Sequence, residues 1–525
     1  MFFLLLSFPI ATALSPTPTV SPLPRGGATV CSAAMCSPAP ETADRLMAAS
    51  AGSHDTYLGV VFATLGVGLH AIVPCGSLSG VLLDGAITMD LGLEPQQAAL
   101  GDAALLFAWA PGALLGGPVS DQAGRKPASL GFGVGTALAV GAMAVLPVDR
   151  NAFAALIVAR AAAGFCIGGL MSAAYTLVVE SVDASRRGRA SFSWSLGYVG
   201  GIVLLAGLHY AAQHAPVSLP IATWRLEELL CASFGLLFAV LTQLVVLETP
   251  AFHLSNGNAA GALATARKIA RWNGADVALD AALEHDPALA GLALLPPPSP
   301  PPPRWTTPTT MALSTEAQVE QQPGAQWSDL FDPAGLLGIT LTLGAIQFAW
   351  NGAYYMLNFS AGALTDALLV NFVLLGMVEL PGAAVAGAAT EALGARRTAV
   401  LFLGAAGVTL CTLALLQSSG QAAEHANLAV GLALLGKSLT AGIFTAVFLL
   451  TTELHPTELR TAAIGCGMCF GKIGASAAPP LSTMVPLPMS LGTLGATLLI
   501  VSAAATTLPS DCQSAGTPSS QPGSM

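Results

Sequence analysis

Charged residues are scarce in this chain of 525 residues: 9% are Asp, Glu, Lys or Arg, whereas 54% are hydrophobic. A soluble protein carries about 25% charged residues, so this composition excludes an ordinary soluble domain and indicates a membrane protein. The formal net charge of −10 comes largely from loop acids, which argues against a nucleic-acid partner.

Several chemical signatures are also missing. The sequence contains no G-x-x-x-x-G-K-[ST] loop, which argues against an ATP-driven pump. No nucleophile and base stand together in an apolar stretch, so we expect no enzyme activity. The nine cysteines are scattered, and the C-x-x-C pair Cys466 and Cys469 has no second pair or histidine nearby. We therefore expect neither a metal nor a cofactor.

Long apolar runs make up most of the chain. A run of about 20 apolar residues is long enough to cross a bilayer as a helix. Twelve such spans are predicted, near residues 57–79, 97–119, 128–147, 152–178, 190–211, 226–247, 334–357, 366–389, 398–417, 428–451, 461–483 and 488–507. The sequence therefore predicts an all-α, multi-pass membrane protein.

The lysines and arginines predict the orientation. Most of those outside the spans fall in loops on one side of the membrane, and only Arg150 and Arg225 fall on the other. Because cytoplasmic loops are enriched in Lys and Arg, both termini are expected in the cytoplasm. The first 50 residues are read either as a targeting segment or as a disordered tail, so the plasma membrane and an organelle, including the plastid envelope, both stay open.

The apolar pattern predicts two halves joined by a linker. Residues 51–247 and 331–507 each hold six spans, and residues 508–525 form a tail. Residues 248–330 form the linker, in which a short amphipathic helix ends at Gly274 and a polyproline stretch follows.

Charged landmarks repeat between the halves. The acid, glycine and basic residue after the second span, Asp121, Gly124 and Arg125, recur 270 residues later as Glu391, Gly394 and Arg396. A Glu followed by an Arg seven positions later occurs after the fourth and tenth spans, 273 residues apart. Such offsets indicate an internal structural repeat. All these residues are predicted to act in gating: Asp121, Gly124, Arg125, Glu180, Arg187, Glu391, Arg396, Glu453 and Arg460.

Several stretches resemble a known family. "GGPVSDQAGRK" resembles the loop between helices 2 and 3 of the major facilitator superfamily, and "RAAAGFCIGGL" resembles its helix 4. "YYMLNFSAGALTDALLVNFVLLGMVELPGA" and "GKSLTAGIFTAVFLLTTELHPTELRTAAIG" are similar to helices 7 to 8 and 10 to 11 of its organic cation/anion/carnitine transporters. The short first outer loop leaves the related synaptic vesicle glycoprotein-like branch open. The resemblance implies twelve helices in two six-helix bundles that rock about a central cavity.

Ionisable residues at bilayer depth predict the substrate site, because such residues usually face a partner or a wet cavity. Glu379 and Lys472 each lie twelve residues from a charged span end, which places both roughly 18 Å deep and near the midplane. We expect them to pair across the empty cavity, with an anionic substrate displacing the acid; a purely structural ion pair is the alternative. Gln347, Trp350, Tyr354 and Tyr355 are expected to line the same cavity.

Arg160 and Lys437 are the remaining charges within spans and are candidates for coupling to a proton or a counter-substrate. The resemblance places cation carriers' aspartate and anion carriers' arginine at the position of Lys472, which favours an anion. The sequence thus predicts a monomeric secondary-active or facilitative transporter of organic anions. A carrier of organic cations or sugar-like metabolites stays open, as does a ligand sensor or scaffold that no longer transports.

Overall fold

The structure is a computed structural model that describes residues 39–51, 56–64, 70–149, 151–183, 186–214, 222–293, 327–332, 335–363, 367–421, 424–455 and 459–509. Most of the predicted targeting segment, the polyproline stretch and nearly all of the predicted C-terminal tail lie outside these ranges. Within them every regular element is helical, as the composition predicts.

The helices follow the predicted order of spans. The first half contains α1 (Ala39–Ala49), α2 (Thr56–Thr64), α3 (His70–Leu91), α4 (Pro95–Ala123), α5 (Arg125–Met143), α6 (Ala152–Glu180), α7 (Arg187–Gln213) and α8 (Thr223–Leu244). The linker contains α9 (Pro250–Ser255), α10 (Ala259–Asn273), α11 (Asp276–His285) and α12 (Pro287–Ala293). The second half contains α13 (Leu337–Phe359), α14 (Leu368–Met377), α15 (Glu379–Leu393), α16 (Ala395–Ser418), α17 (Ala426–Leu454), α18 (Arg460–Ser476), α19 (Ala478–Met484) and α20 (Leu487–Ala505).

Eight stretches of the described chain are long and apolar enough on their own to cross a membrane: α4, α6, most of α7, α8, α14 with α15, α16, α17 and α20. The four other predicted spans fall on α3, α5, α13 and α18. The first predicted span is too short, because α3 continues to Leu91 instead of ending near residue 79. Asp84 and Asp90, which the sequence placed in a loop, therefore lie on a helix of the bundle.

Each half packs as its own bundle. In the first, α4 and α5 pack along α6, and α3 packs along α7; in the second, α16 packs along α17 and α20, and α13 packs along α18. The two bundles meet where α18 and α19 contact α4, and where α14 and α15 contact α7. The predicted two-bundle architecture is confirmed.

Glycines allow the closest helix contact in the first bundle. A side chain at Gly112 would meet the backbone of Phe165, and one at Gly116 would lie 2.7 Å from the Cα of Gly169. Gly117, one residue later, faces open space. Small residues at a helix interface let backbones approach, and here they bring α4 against α6.

A helix break positions Glu379. Helix α14 ends at Met377, and α15 begins at Glu379 with Pro381 in its first turn. A proline there has no N–H to donate and its ring clashes with the preceding turn, so the helix breaks before it. Glu379 thereby becomes the first residue of α15, where the partial positive charge of a helix N-terminus favours a carboxylate.

Helix α1 and the linker helices α9 to α12 form what we call the linker module. Leu46 of α1 packs against Leu263 and Leu279, and Arg45 pairs with Asp286 at 3.1 Å. Helix α1 thus lies inside the segment that the sequence assigned to a targeting segment or disordered tail. Asn273 fastens the module to the first bundle: its Oδ1 accepts from the Tyr57 N–H at 2.9 Å, and its Nδ2 donates to the Ser50 carbonyl. We call this face of the bundle the linker side.

Candidate functional site

Two lysines and a glutamate lie buried in the second bundle, and we call them the lysine cluster: Glu379, Lys437 and Lys472. Lys437 Nζ is 3.1 Å from Glu379 Oε1, and its side chain is fully buried. Tyr354 Oη donates a hydrogen bond of 2.7 Å to the same Glu379 oxygen. Glu379 is therefore already compensated by a cation and a hydroxyl.

The predicted pairing of Glu379 with Lys472 is wrong. Helix α15 packs along α17, which brings Glu379 to Lys437, whereas α18 packs against α13 and α4. Lys472 Nζ instead donates to Tyr355 Oη at 3.2 Å and lies 3.9 Å from the centre of the Trp109 ring. Among the residues that the structure describes, no carboxylate lies within ion-pair distance of Lys472. Trp109, which the sequence analysis did not select, supplies its contact from the other bundle.

The lysine cluster carries one more positive charge than negative charge. Its two ammonium groups repel each other, and one carboxylate compensates only Lys437. An uncompensated cation in a low-dielectric site attracts anions strongly.

Aromatic rings of α13 surround the cluster as predicted from their positions. Tyr354 and Tyr355 contact Glu379 and Lys472, respectively, and their rings are 5.2 Å apart. The Trp350 ring lies 6.2 Å from that of Tyr354, and its Nε1 donates to Gln347 Oε1 at 2.9 Å. Phe444 of α17 lies 6.1 Å from Trp350 and extends the row. These rings offer flat apolar faces beside the charged groups.

A second charged group lies in the first bundle, and we call it the aspartate cluster: Asp84, Asp102 and Arg160. Arg160, which is fully buried, forms an ion pair with Asp102 through Nη1. Its Nη2 donates to Asp84 Oδ1 at 3.1 Å. Of the three, the sequence analysis selected only Arg160. Asp84 was missed because the first span was cut short.

Asp102 could have been found from its spacing. Asp102 and Arg160 are 58 residues apart, and so are Glu379 and Lys437. Both pairs join the second and fourth membrane helices of their half, counting α14 with α15 as one. The internal repeat therefore includes a buried acid and base in each half.

The comparisons with known proteins agree with this architecture. The family model described as Major Facilitator Superfamily matches residues 56–479. The chain belongs to the major facilitator superfamily. The xylose transporter XylE from E. coli, in a partially occluded inward-open conformation, superposes with a TM-score of 0.60 at 14% identity, covering 89% of this chain and 100% of that one.

Curated relatives within the superfamily are organic-ion transporters. Organic anion transporter 3 of Mus musculus is 27% identical over 372 residues, which are 70% of this chain and 62% of that protein. Solute carrier family 22 member 7 of Bos taurus is 27% identical over 430 residues, 81% of this chain and 70% of that protein. Organic cation/carnitine transporter 4 of Arabidopsis thaliana is 25% identical over 324 residues, 62% of this chain and 55% of that protein. The family resemblance is confirmed, and the chain spans about 60 to 65% of the length of the first relatives it matches.

On the linker side of this major facilitator chain, Arg125 organises the predicted gating residues of the first half. It pairs with Asp121 at 2.8 Å and with Glu180 through two hydrogen bonds, from Nε to Oε2 and from Nη2 to Oε1. Thr249 Oγ1 donates to Glu180 Oε2 at 2.6 Å. Gly124 takes the tight turn between α4 and α5 with φ of 107°. Glu180 thus engages Arg125; the side chain of Arg187 lies outside the described residues.

Glu248 joins the linker to the same turn. Its carboxylate accepts the backbone N–H groups of Arg125, Lys126 and Thr249 at 3.1, 3.1 and 2.9 Å. Burial raises the pKa of this carboxyl, and the three N–H groups oppose the shift.

The second half does not copy this arrangement. Arg396 donates to the Leu508 carbonyl at 2.6 Å, and in the described part of the chain it forms no ion pair with Glu391, which is exposed. Gly394 does take a positive φ of 84°. Glu453 lies in the last turn of α17, while the side chain of Arg460 lies outside the described residues. The sequence repeat therefore preserves the turn but not the ion pairs.

Proposed function

We propose that the chain is a secondary transporter that carries small organic anions by alternating access. The observation that carries this proposal is Lys472, a buried cation between the two bundles with aromatic and hydroxyl partners and no carboxylate within ion-pair distance among the described residues. A substrate anion supplies the compensation that this lysine lacks.

The charges favour an anion over a cation. A cationic substrate needs a free carboxylate, and Glu379 is occupied by Lys437 and Tyr354. The relatives' names alone do not decide, since they include an organic anion transporter and an organic cation/carnitine transporter. The likeness to a xylose transporter at 14% identity supports the fold alone.

Lys472 also offers a route from binding to movement. Its ammonium contacts Trp109 of the first bundle and Tyr355 of the second, so it lies where the bundles meet. A cation–π contact contributes about 0.5–2 kcal/mol, and a charge-assisted hydrogen bond about 1.5–3 kcal/mol. A bound carboxylate therefore displaces the Trp109 contact and weakens one link between the bundles. The aromatic rings of α13 then pack against the apolar part of the substrate.

The test is uptake into proteoliposomes of a labelled aromatic monocarboxylate and, separately, of a labelled aromatic quaternary ammonium ion. We expect carboxylate uptake, a loss of at least about tenfold in Lys472→Gln, and substantial recovery in Lys472→Arg, which keeps the charge. Lys268→Gln removes an exposed cation of α10 and serves as the matched control. Uptake of the ammonium ion alone would overturn the anion assignment. Carboxylate binding without uptake would instead favour a sensor.

A further inference from the structure

The aspartate cluster holds more negative charge than positive charge. Two carboxylates face a single guanidinium, and the side-chain exposures are 26% for Asp84, 5% for Asp102 and 0% for Arg160. An unbalanced charge at this depth is expensive, on the order of 2.5–3.5 kcal/mol on insertion scales. Binding one monovalent cation removes the imbalance.

Unsatisfied polar atoms mark the same place. Asp102 Oδ2 is buried and has no hydrogen-bond partner, and Arg160 Nε is in the same condition. Buried polar atoms are nearly always partnered, so an exception indicates that a group is missing. The carboxylate oxygen accepts a proton or a hydrogen bond, and Asp84, the most exposed member of the cluster, connects it to solvent.

The second bundle provides the comparison. Glu379 and Lys437 repeat the spacing of Asp102 and Arg160, and there one acid balances one base. Asp84 on α3 is the extra acid of the first bundle, and Lys472 on α18 is the extra base of the second. The protein thus carries an excess of one negative charge in one cluster and one positive charge in the other.

We propose that the aspartate cluster binds one proton, which enters at Asp84, and that this proton is transported together with the organic anion at Lys472. The inference rests on the proposed function and adds the coupling ion. A proton on the cluster and a monovalent anion on Lys472 compensate both excess charges at once, so the fully loaded carrier crosses its occluded state with neither charge uncompensated. Loading only one site leaves the other excess charge buried.

The chemistry favours a proton over a metal cation. Arg160 lies between the two carboxylates, so a sodium ion bridging them would sit close to the guanidinium and be repelled by it. A proton bonds to one oxygen and leaves the other carboxylate paired with Arg160. This is the balanced arrangement that Glu379 and Lys437 already have.

Other ionisable groups near these helices have partners of their own or lie along a different contact. Asp90 pairs with Arg225 at 3.0 Å, about two turns further along α3, and His209 lies 3.1 Å from Glu227 between α7 and α8. Glu228 of α8 is buried and also has a partner. Lys472 faces α4 at Trp109, two turns from Asp102. Asp84 and Asp102 are the carboxylates that contact Arg160.

The experiment uses the full chain in proteoliposomes with a labelled aromatic monocarboxylate. An imposed gradient of one pH unit, acidic outside, should drive about tenfold accumulation for a coupling of one proton to one anion. A potassium diffusion potential of either sign should not change the initial rate, because this coupling moves no net charge. Asp84→Asn and Asp102→Asn should lose gradient-driven accumulation yet retain counterflow, in which labelled substrate exchanges for unlabelled substrate without net proton movement.

Asp90→Asn is the matched control, since it removes the same charge from the same helix and should keep gradient-driven accumulation. Asp84→Glu, which retains a carboxylate, should keep it as well and guards against a folding defect in Asp84→Asn. Wild-type counterflow without any response to the pH gradient would overturn the inference and leave the proposed function standing. Acceleration by a sodium gradient or by the diffusion potential, or retained accumulation in Asp84→Asn, would also overturn it. Absence of wild-type counterflow would instead count against the proposed function.

Discussion

Lys437 Nζ lies 3.1 Å from Glu379 Oε1 in the interior of the second bundle, where the lysine is completely shielded from solvent. Removing one partner of a buried pair leaves an uncompensated charge, which costs about 3–5 kcal/mol. We expect Lys437→Met to lower the stability of the purified protein by this order, and Lys437→Met with Glu379→Gln to recover most of the loss. Thermal unfolding in detergent measures both. A double variant as unstable as the single one would show that the ion pair is not what Lys437 stabilises.

Trp109 competes with the substrate for Lys472, and its ring centre lies 3.9 Å from Nζ. Trp109→Leu removes a contact of about 0.5–2 kcal/mol without removing the cation, so the affinity for an aromatic carboxylate should rise by roughly two- to thirtyfold. Isothermal titration in detergent gives the dissociation constant. A weaker affinity would mean that Trp109 contacts the substrate itself.

The contact between α4 and α6 predicts a difference between neighbouring glycines. A side chain at Gly112 would collide with the Phe165 backbone, which cannot move aside easily, whereas Gly117 faces open space. Overpacking costs about 1–3 kcal/mol, so Gly112→Ala should unfold at a clearly lower temperature than the wild type. Gly117→Ala, five residues along the same helix, should unfold close to the wild-type temperature. Equal effects of the two changes would contradict the packing described here.

The bidentate contact between Arg125 and Glu180 should not tolerate lysine. Arg125 donates through Nε and Nη2 to the two carboxylate oxygens of Glu180, and a lysine cannot reproduce this fork. Arg125→Lys should therefore speed hydrogen exchange in the turn between α4 and α5. Arg396→Lys, at the matching turn of the second half, should change exchange less, because Arg396 makes one bond to a carbonyl. Mass spectrometry of the exchanged protein compares the two turns directly.

His455 makes stability depend on pH. Its ring is buried at the end of α17, where Nδ1 lies 2.9 Å from the Thr451 carbonyl. Burial lowers the pKa of His455 below 6.5, and the Thr451 carbonyl opposes the shift. The unfolded chain therefore binds more protons, so this residue's contribution is present above pH 6.5 and is lost as the pH falls through the folded-state pKa. Unfolding temperatures between pH 7.5 and 5 should fall less in His455→Gln than in the wild type, while exposed His285→Gln should follow the wild type.

Much of the fold follows from the sequence because hydrophobic length and charge placement are local signals. Twelve apolar runs and the 270-residue offset between Asp121 and Glu391 suffice for two copies of a bundle. The boundary of α3 was missed because Asp84 and Asp90 resemble loop residues when their partners are not known. Arg160 and Arg225 supply those partners only in the folded protein.

The site was predictable in its members but not in its pairs. Depth along a helix can be counted from the sequence, which correctly brought Glu379, Lys472 and the tyrosines of α13 into one region. The direction of a side chain depends on the break before Glu379 and on which helices pack together. For that reason Lys437, counted as a separate coupling residue, is the partner of Glu379, and Lys472 is left without a carboxylate among the described residues.

Asn273 binds Tyr57 and Ser50, while Glu248 and Thr249 bind the turn at Arg125 and the end of α6. Every one of these bonds joins the linker module to the first bundle. When the two bundles rock, the module must travel with the first as a single rigid piece. The change in distance between the halves then has to be absorbed by the chain between Ala293 and Trp327, so shortening that stretch should restrict the amplitude of the transport motion.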